Sequence, residues 1–156
     1  MPILNRYKAI GSTAEVEFKT TKPCFPTTMS HINQVVADTQ QWEQSAAFRL
    51  ELAARHGAVS FYVKNDHLGL LIPYEYLGVE HNYIPDFVVK LRNGGFLLLE
   101  IKGQEDNQAK AKHDSARRWI SAVNNWGKLG KWDLHVCRNP QTLQKELEYL
   151  LRGSSR

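Results

Sequence analysis

The sequence predicts an α/β chain with a short central mixed β-sheet flanked by helices, in the core order helix, three strands, helix, strand. Three observations predict it. Phe87–Leu91 and Phe96–Ile101 are strand-length apolar runs on either side of Asn93-Gly94-Gly95. Helical spacing precedes them in Ala46, Ala47, Leu50, Ala53 and Ala54, and follows them in Ala109, Ala116, Ile120 and Val123. Trp132–Cys137 then alternates as a further strand.

In chain order, residues 1–30 are rich in Thr, Pro and Lys and read as an N-terminal arm or interdomain connection. A strand or extended arm is expected at Ala14–Thr20, where Val16 and Phe18 alternate with charged residues. The domain proper is expected over residues 31–152. Its first helix lies within His31–His56, with Asp38 as N-cap and Gly57 as stop. Glu43 falls inside the alanine-rich face of that helix and Glu51 off it. Ala58–Lys64 reads as a strand, Asn65-Asp66-His67 as a turn and Leu68–Pro73 as a short strand. Tyr74–Tyr83 is a solvent-facing connection or a hairpin around Gly78. The second helix runs to about Asn124, and a loop of residues 125–131 follows it. Pro140 opens the last helix, Gln141–Arg152, with Leu143, Leu147, Leu150 and Leu151 as its core stripe. Residues 153–156 read as a disordered tail.

Chemistry concentrates at the two apolar strands. Side chains alternate along a strand, so Glu100 and Lys102 share a face. A two-residue turn would point Asp86 away from Glu100. A three-residue loop, Asn93-Gly94-Gly95, pairs Arg92 with Phe96 and brings Asp86 opposite Lys102, with a glycine supplying the left-handed residue such a loop wants. Charges in so apolar a frame are costly without partners. A salt bridge between Lys102 and Asp86 is one solution, and a hard divalent cation is another. Asp86, Glu100 and the Ile101 carbonyl offer oxygen ligands to Mg²⁺, or equally to Mn²⁺, and Lys102 beside them could orient or help deprotonate an attacking water. Glu43 either favours its helix dipole or reaches this site as an extra ligand or acceptor. Lys110, Lys112, Arg117 and Arg118 on the second helix form a solvated face or a phosphate-binding one, and Gln104 could touch a phosphate or the water.

Pro85-Asp86 followed by Glu100-Ile101-Lys102 resembles the PD-(D/E)xK signature of restriction-endonuclease-like nucleases. Val35–Gln44, Tyr62–Gly69, Ile72-Pro73-Tyr74 and Val123-Asn124-Asn125 extend the resemblance over most of the chain. Together they resemble the C-terminal nuclease end of type III-like restriction endonucleases, whose upstream part is a helicase motor. The resemblance implies a restriction-endonuclease-like sandwich and a Mg²⁺-dependent endonuclease acting on DNA through a metal-activated water. It implies Asp86, Glu100 and Lys102 as catalytic residues, Glu43 as the first-helix acid, and a helicase or translocase motor as partner.

Composition is compatible with this. The chain has 156 residues and a formal net charge of +4, which permits a polyanionic partner. No run approaches the roughly 18 apolar residues of a membrane span, and no signal-peptide stretch is seen, so a cytoplasmic protein is expected. Cys24 and Cys137 form no zinc or disulfide pattern, the six histidines are scattered, and P-loop and nucleophile-elbow motifs are absent. Two other readings compete: a nucleic-acid-binding or assembly module with a structural acidic pair, and a resolvase or transposon nuclease of the same fold, which would favour a homodimer.

Overall fold

The computed structural model of the chain describes residues 11–36, 41–102 and 106–153. Its centre is a four-stranded mixed sheet formed by β3 (Val59–Lys64), β6 (Phe87–Leu91), β7 (Phe96–Ile101) and β8 (Trp132–Cys137), in the order β3-β6-β7-β8. The first three strands are antiparallel neighbours, and β8 lies parallel to β7. A parallel pair needs a crossover, and α2 (Asn107–Trp126) supplies it. The Asp106 side chain caps α2 by accepting the Ala109 N–H at 2.7 Å, and Gly127 ends it at φ 72°.

Each face of the sheet has its own core. On one, α1 (Gln41–Arg55) and α3 (Leu143–Gly153) cover Tyr62, Phe87, Val89, Leu91, Leu97 and Leu99. Ala46, Ala47, Ala53 and Ala54 are all buried there, which lets α1 lie close to the strands. On the other, α2 and a hairpin of β4 (Ile72–Tyr76) and β5 (Val79–Tyr83) cover Val88, Leu98 and Leu134. The mixed α/β architecture and the hairpin around Gly78 match the sequence expectation. Among the described residues, no helix is long and apolar enough to cross a membrane. The expected N-cap Asp38 lies outside the described residues.

Two local expectations are corrected. Among the described residues Ala14–Thr20 pairs in no sheet, so the strand alternative is not formed: Thr13–Glu15 is a 3-10 turn, and the Phe18 and His67 rings meet at 4.1 Å, tilted by 31°. Strand pairing in this region falls instead between β1 (Cys24–Pro26) and β2 (Gln34–Val36). The strand expected from Leu68 begins only at Ile72, because Gly69 takes a left-handed φ of 73° and breaks the extended run. Glu51, off the alanine-rich face of α1, is nevertheless buried. The segment around Thr28 packs over that flank of α1, and the Glu51 carboxylate accepts the Thr28 N–H at 2.9 Å, the Thr28 hydroxyl, the Met29 N–H at 3.3 Å and the Tyr62 hydroxyl at 2.9 Å. Burial pushes its pKa up, but these donors outweigh it and hold the carboxyl below its ordinary value.

A depressed carboxylate pKa stabilises the fold above the ordinary carboxylate range and loses that contribution as pH falls through the folded value. Glu51→Ala is expected to lower the unfolding free energy by roughly 2–4 kcal/mol at pH 7. Urea titrations should show this deficit narrowing below about pH 4.

Candidate active site

The turn between β6 and β7 sets the geometry. Gly94 N–H bonds the Leu91 carbonyl at 3.0 Å, Leu91 N–H bonds Gly95 O at 2.8 Å, and Gly94 takes φ 89°. The three-residue loop is therefore Arg92-Asn93-Gly94, one position earlier than expected, because the left-handed glycine closes the loop. Lys90, not Arg92, pairs with Phe96, and Phe87 pairs with Leu99. Continued by one residue, this register sets Asp86 opposite Glu100 rather than Lys102. A one-residue change in loop position moves the pairing by two, so the two carboxylates keep a common face.

That face is the one covered by α2 and the β4–β5 hairpin. Glu100 is 5% exposed. Its Oε1 meets Lys112 Nζ at 2.9 Å, whereas its Oε2 is buried without a hydrogen-bond partner. Asp86 Oδ2 accepts the Ile101 N–H at 2.7 Å. Tyr83 is 1% exposed, and its hydroxyl lies beside Glu100 without reaching hydrogen-bond geometry. Burial, and then the charges of Glu100 and Asp86, push the Tyr83 phenol far above its ordinary value, so it stays protonated. Burial and then the Glu100 charge push the Asp86 carboxyl up to about 7, against the opposing Ile101 N–H. A cleft of about 350 Å³ opens between the hairpin and the start of α2, lined by Tyr83 and Lys112, the neighbours of Glu100, and by Tyr74, Asn82, Lys102 and Gln108 among others.

The remaining expected residues are distributed differently. Lys102 lines the cleft, but its ammonium faces Asp106 at 3.9 Å, and its N–H bonds Cys137 O. Neither a Lys102–Asp86 bridge nor a Lys102–Glu100 contact forms, because Lys112 reaches back from α2 and takes the place beside Glu100. Glu43 pairs with Lys64 at 2.7 Å on the α1 side of the sheet. It touches Asp86 only through its charge, which adds to the upward push. Ile101 contributes its amide to Asp86; N–H and C=O of one strand residue leave on the same side, so its carbonyl also faces the carboxylates. Lys110, Arg117 and Arg118 do not join Lys112. At about 100° per residue they lie on other sides of α2, where Arg117 meets Asp114 at 3.2 Å and Arg118 meets Ser115 at 2.6 Å. Gln104 lies outside the described residues. Among the described residues, no group of three His, Cys, Asp or Glu side chains forms a metal cluster.

Sequence reasoning missed Lys64 and Tyr83. Lys64 closes β3 opposite Phe87, a position its strand alternation already implied. Tyr83 closes β5, and no spacing rule links it to Glu100.

The donors fit a hard cation with few protein ligands. Glu100 Oε2 has no protein partner, and the raised Asp86 pKa marks negative charge in want of compensation. Comparison with family models, with curated proteins and with solved structures returns no match for this chain.

Between the ordinary aspartate pKa and about 7, folded Asp86 binds more proton than the unfolded chain does, so stability falls as pH rises through that window. Asp86→Asn can still accept the Ile101 N–H and carries no charge. It should match the wild type near pH 4 and exceed it at pH 8 by on the order of 2–4 kcal/mol, read from urea unfolding at the two pH values.

Proposed function

We propose that this chain is a Mg²⁺-dependent endodeoxyribonuclease module with a restriction-endonuclease-like fold, hydrolysing DNA phosphodiesters. One observation carries the reading: two carboxylates, buried Glu100 and half-buried Asp86, share a sheet face next to Tyr83 and Lys112, which line a cleft, and one Glu100 oxygen has no hydrogen-bond partner. The Pro85-Asp86 and Glu100-Ile101-Lys102 pattern supports the same assignment.

Asp86, Glu100 and the Ile101 carbonyl would hold the cation, Mg²⁺ or Mn²⁺. When bound, it supplies Lewis-acid activation of water and neutralises charge on the scissile phosphate. Lys102 and Lys112 border the cleft and would orient the phosphate and offset charge developing on it. Glu43 assists indirectly, by fixing Lys64 and by raising the proton affinity of Asp86. Lys110, Arg117 and Arg118 would contact flanking backbone only if the duplex wraps around α2. A helicase or translocase motor, as in type III-like restriction systems, is the proposed partner, with cutting by the isolated module weak or nonspecific.

The non-enzymatic alternative draws on the Lys112–Glu100 pair, which compensates the acid without any metal. Incubation of plasmid and linear DNA with Mg²⁺ separates the two. Cleavage should fall by at least about 100-fold in Asp86→Ala and Glu100→Ala. Equal cleavage by wild type and variants discards the nuclease, and DNA binding that survives Asp86→Ala without metal dependence favours the binding module.

A further inference from the structure

Glu100 uses its two oxygens unequally. Oε1 is held by the Lys112 ammonium at 2.9 Å, and Oε2 is buried with no hydrogen bond formed, although the Tyr83 hydroxyl lies beside Glu100. Lys112 arrives from the second turn of α2 and passes over the Tyr83 ring, with Nζ 4.9 Å from the ring centroid and the side chain 23% exposed. That ammonium is the positive charge in contact with Glu100; Lys102 is turned to Asp106. Without Lys112, buried Glu100 and half-buried Asp86 would face each other with the Ile101 N–H and the charge of Lys64 left to offset Asp86. A divalent cation shared by Asp86 and Glu100 brings two positive charges to the carboxylate that Lys112 occupies. Ammonium and metal cannot both keep close contact with Glu100 without repelling each other.

We propose that Lys112 is a displaceable counter-ion of this site. It holds Glu100 in place while no metal is bound and competes with the incoming divalent cation. On metal binding it moves into the cleft beside Lys102, Gln108 and Asn82, where it meets a substrate phosphate. Its flexible stem and position at the cleft wall suit the move, because a small rotation exchanges a carboxylate partner for a phosphate one. Metal and polyanionic substrate then bind with positive coupling, since the metal frees the lysine that the phosphate uses. This deepens the metal-dependent nuclease reading and rests on it.

Calorimetric titration of MnCl₂ into EDTA-stripped wild type, Lys112→Gln and Glu100→Ala proteins tests the exchange, with thermal unfolding of each recorded with and without Mn²⁺. Lys112→Gln should bind Mn²⁺ about tenfold more tightly than wild type, within the usual range for two ligands competing at one site. Its metal-free Tm should fall by about 4 °C and return to the wild-type value at saturating Mn²⁺. A fixed structural ion pair gives the opposite pattern: unchanged or weaker Mn²⁺ affinity, or a Tm deficit that metal does not repair. Either result overturns the exchange while leaving the metal site standing. Mn²⁺ binding that is absent from wild type, or that survives Glu100→Ala undiminished, instead removes the metal-site reading on which the exchange rests.

Discussion

Two like charges held side by side in a low-dielectric layer constrain this molecule more than any other feature. Asp86 and Glu100 lie on one face of the central sheet, Glu100 buried and Asp86 half-buried beneath a hairpin and a helix. Burial and then the Glu100 charge push the Asp86 carboxyl well above its ordinary value. The Ile101 N–H and the Lys64 charge offset Asp86, and Lys112 offsets Glu100. Carboxylates serving only as structural partners would be expected to have their acceptors filled, as those of Glu51 are by Thr28, Met29 and Tyr62. The contrast between these buried acids within one small fold is what separates a latch from a candidate site.

The surrounding architecture makes the constraint tenable. Alanines on α1 and leucines on α3 pack the far face of the sheet tightly, so β6 and β7 are held firmly below the carboxylates. On the near face, α2 must cross from the end of β7 to the start of β8, which carries its first turns over Glu100. Lys112 arrives there as a consequence of the crossover. Tyr83, at the end of β5, closes the other side and keeps its proton, so it adds no further negative charge.

Much of this was legible in the sequence because alternation along a strand is parity-bound. Asp86 and Glu100 share a face whether the loop begins at Arg92 or Asn93, although the register opposite Asp86 changes from Lys102 to Glu100. The hairpin around Gly78 and the helical stripes were legible for the same reason: local period and turn chemistry agree there. Long-range pairings were not. Whether Lys102 or Lys112 meets Glu100 depends on the angle at which α2 leaves the sheet, which no local pattern encodes. Glu43 appeared to face the sheet, and it does, but on the side away from the carboxylates, where Lys64 captures it. Glu51 lies off the apolar stripe of its helix, and its burial was not legible because the segment that covers it lies more than twenty residues earlier in the chain.

Diffraction from crystals of this chain grown with Mn²⁺, collected at a wavelength where manganese scatters anomalously, tests the central claim most directly. A peak within about 2.0–2.3 Å of carboxylate oxygens from both Asp86 and Glu100, with the Lys112 ammonium withdrawn from Glu100, is the predicted result. An ordered Lys112–Glu100 pair with no anomalous density between the two acids at saturating Mn²⁺ would contradict it.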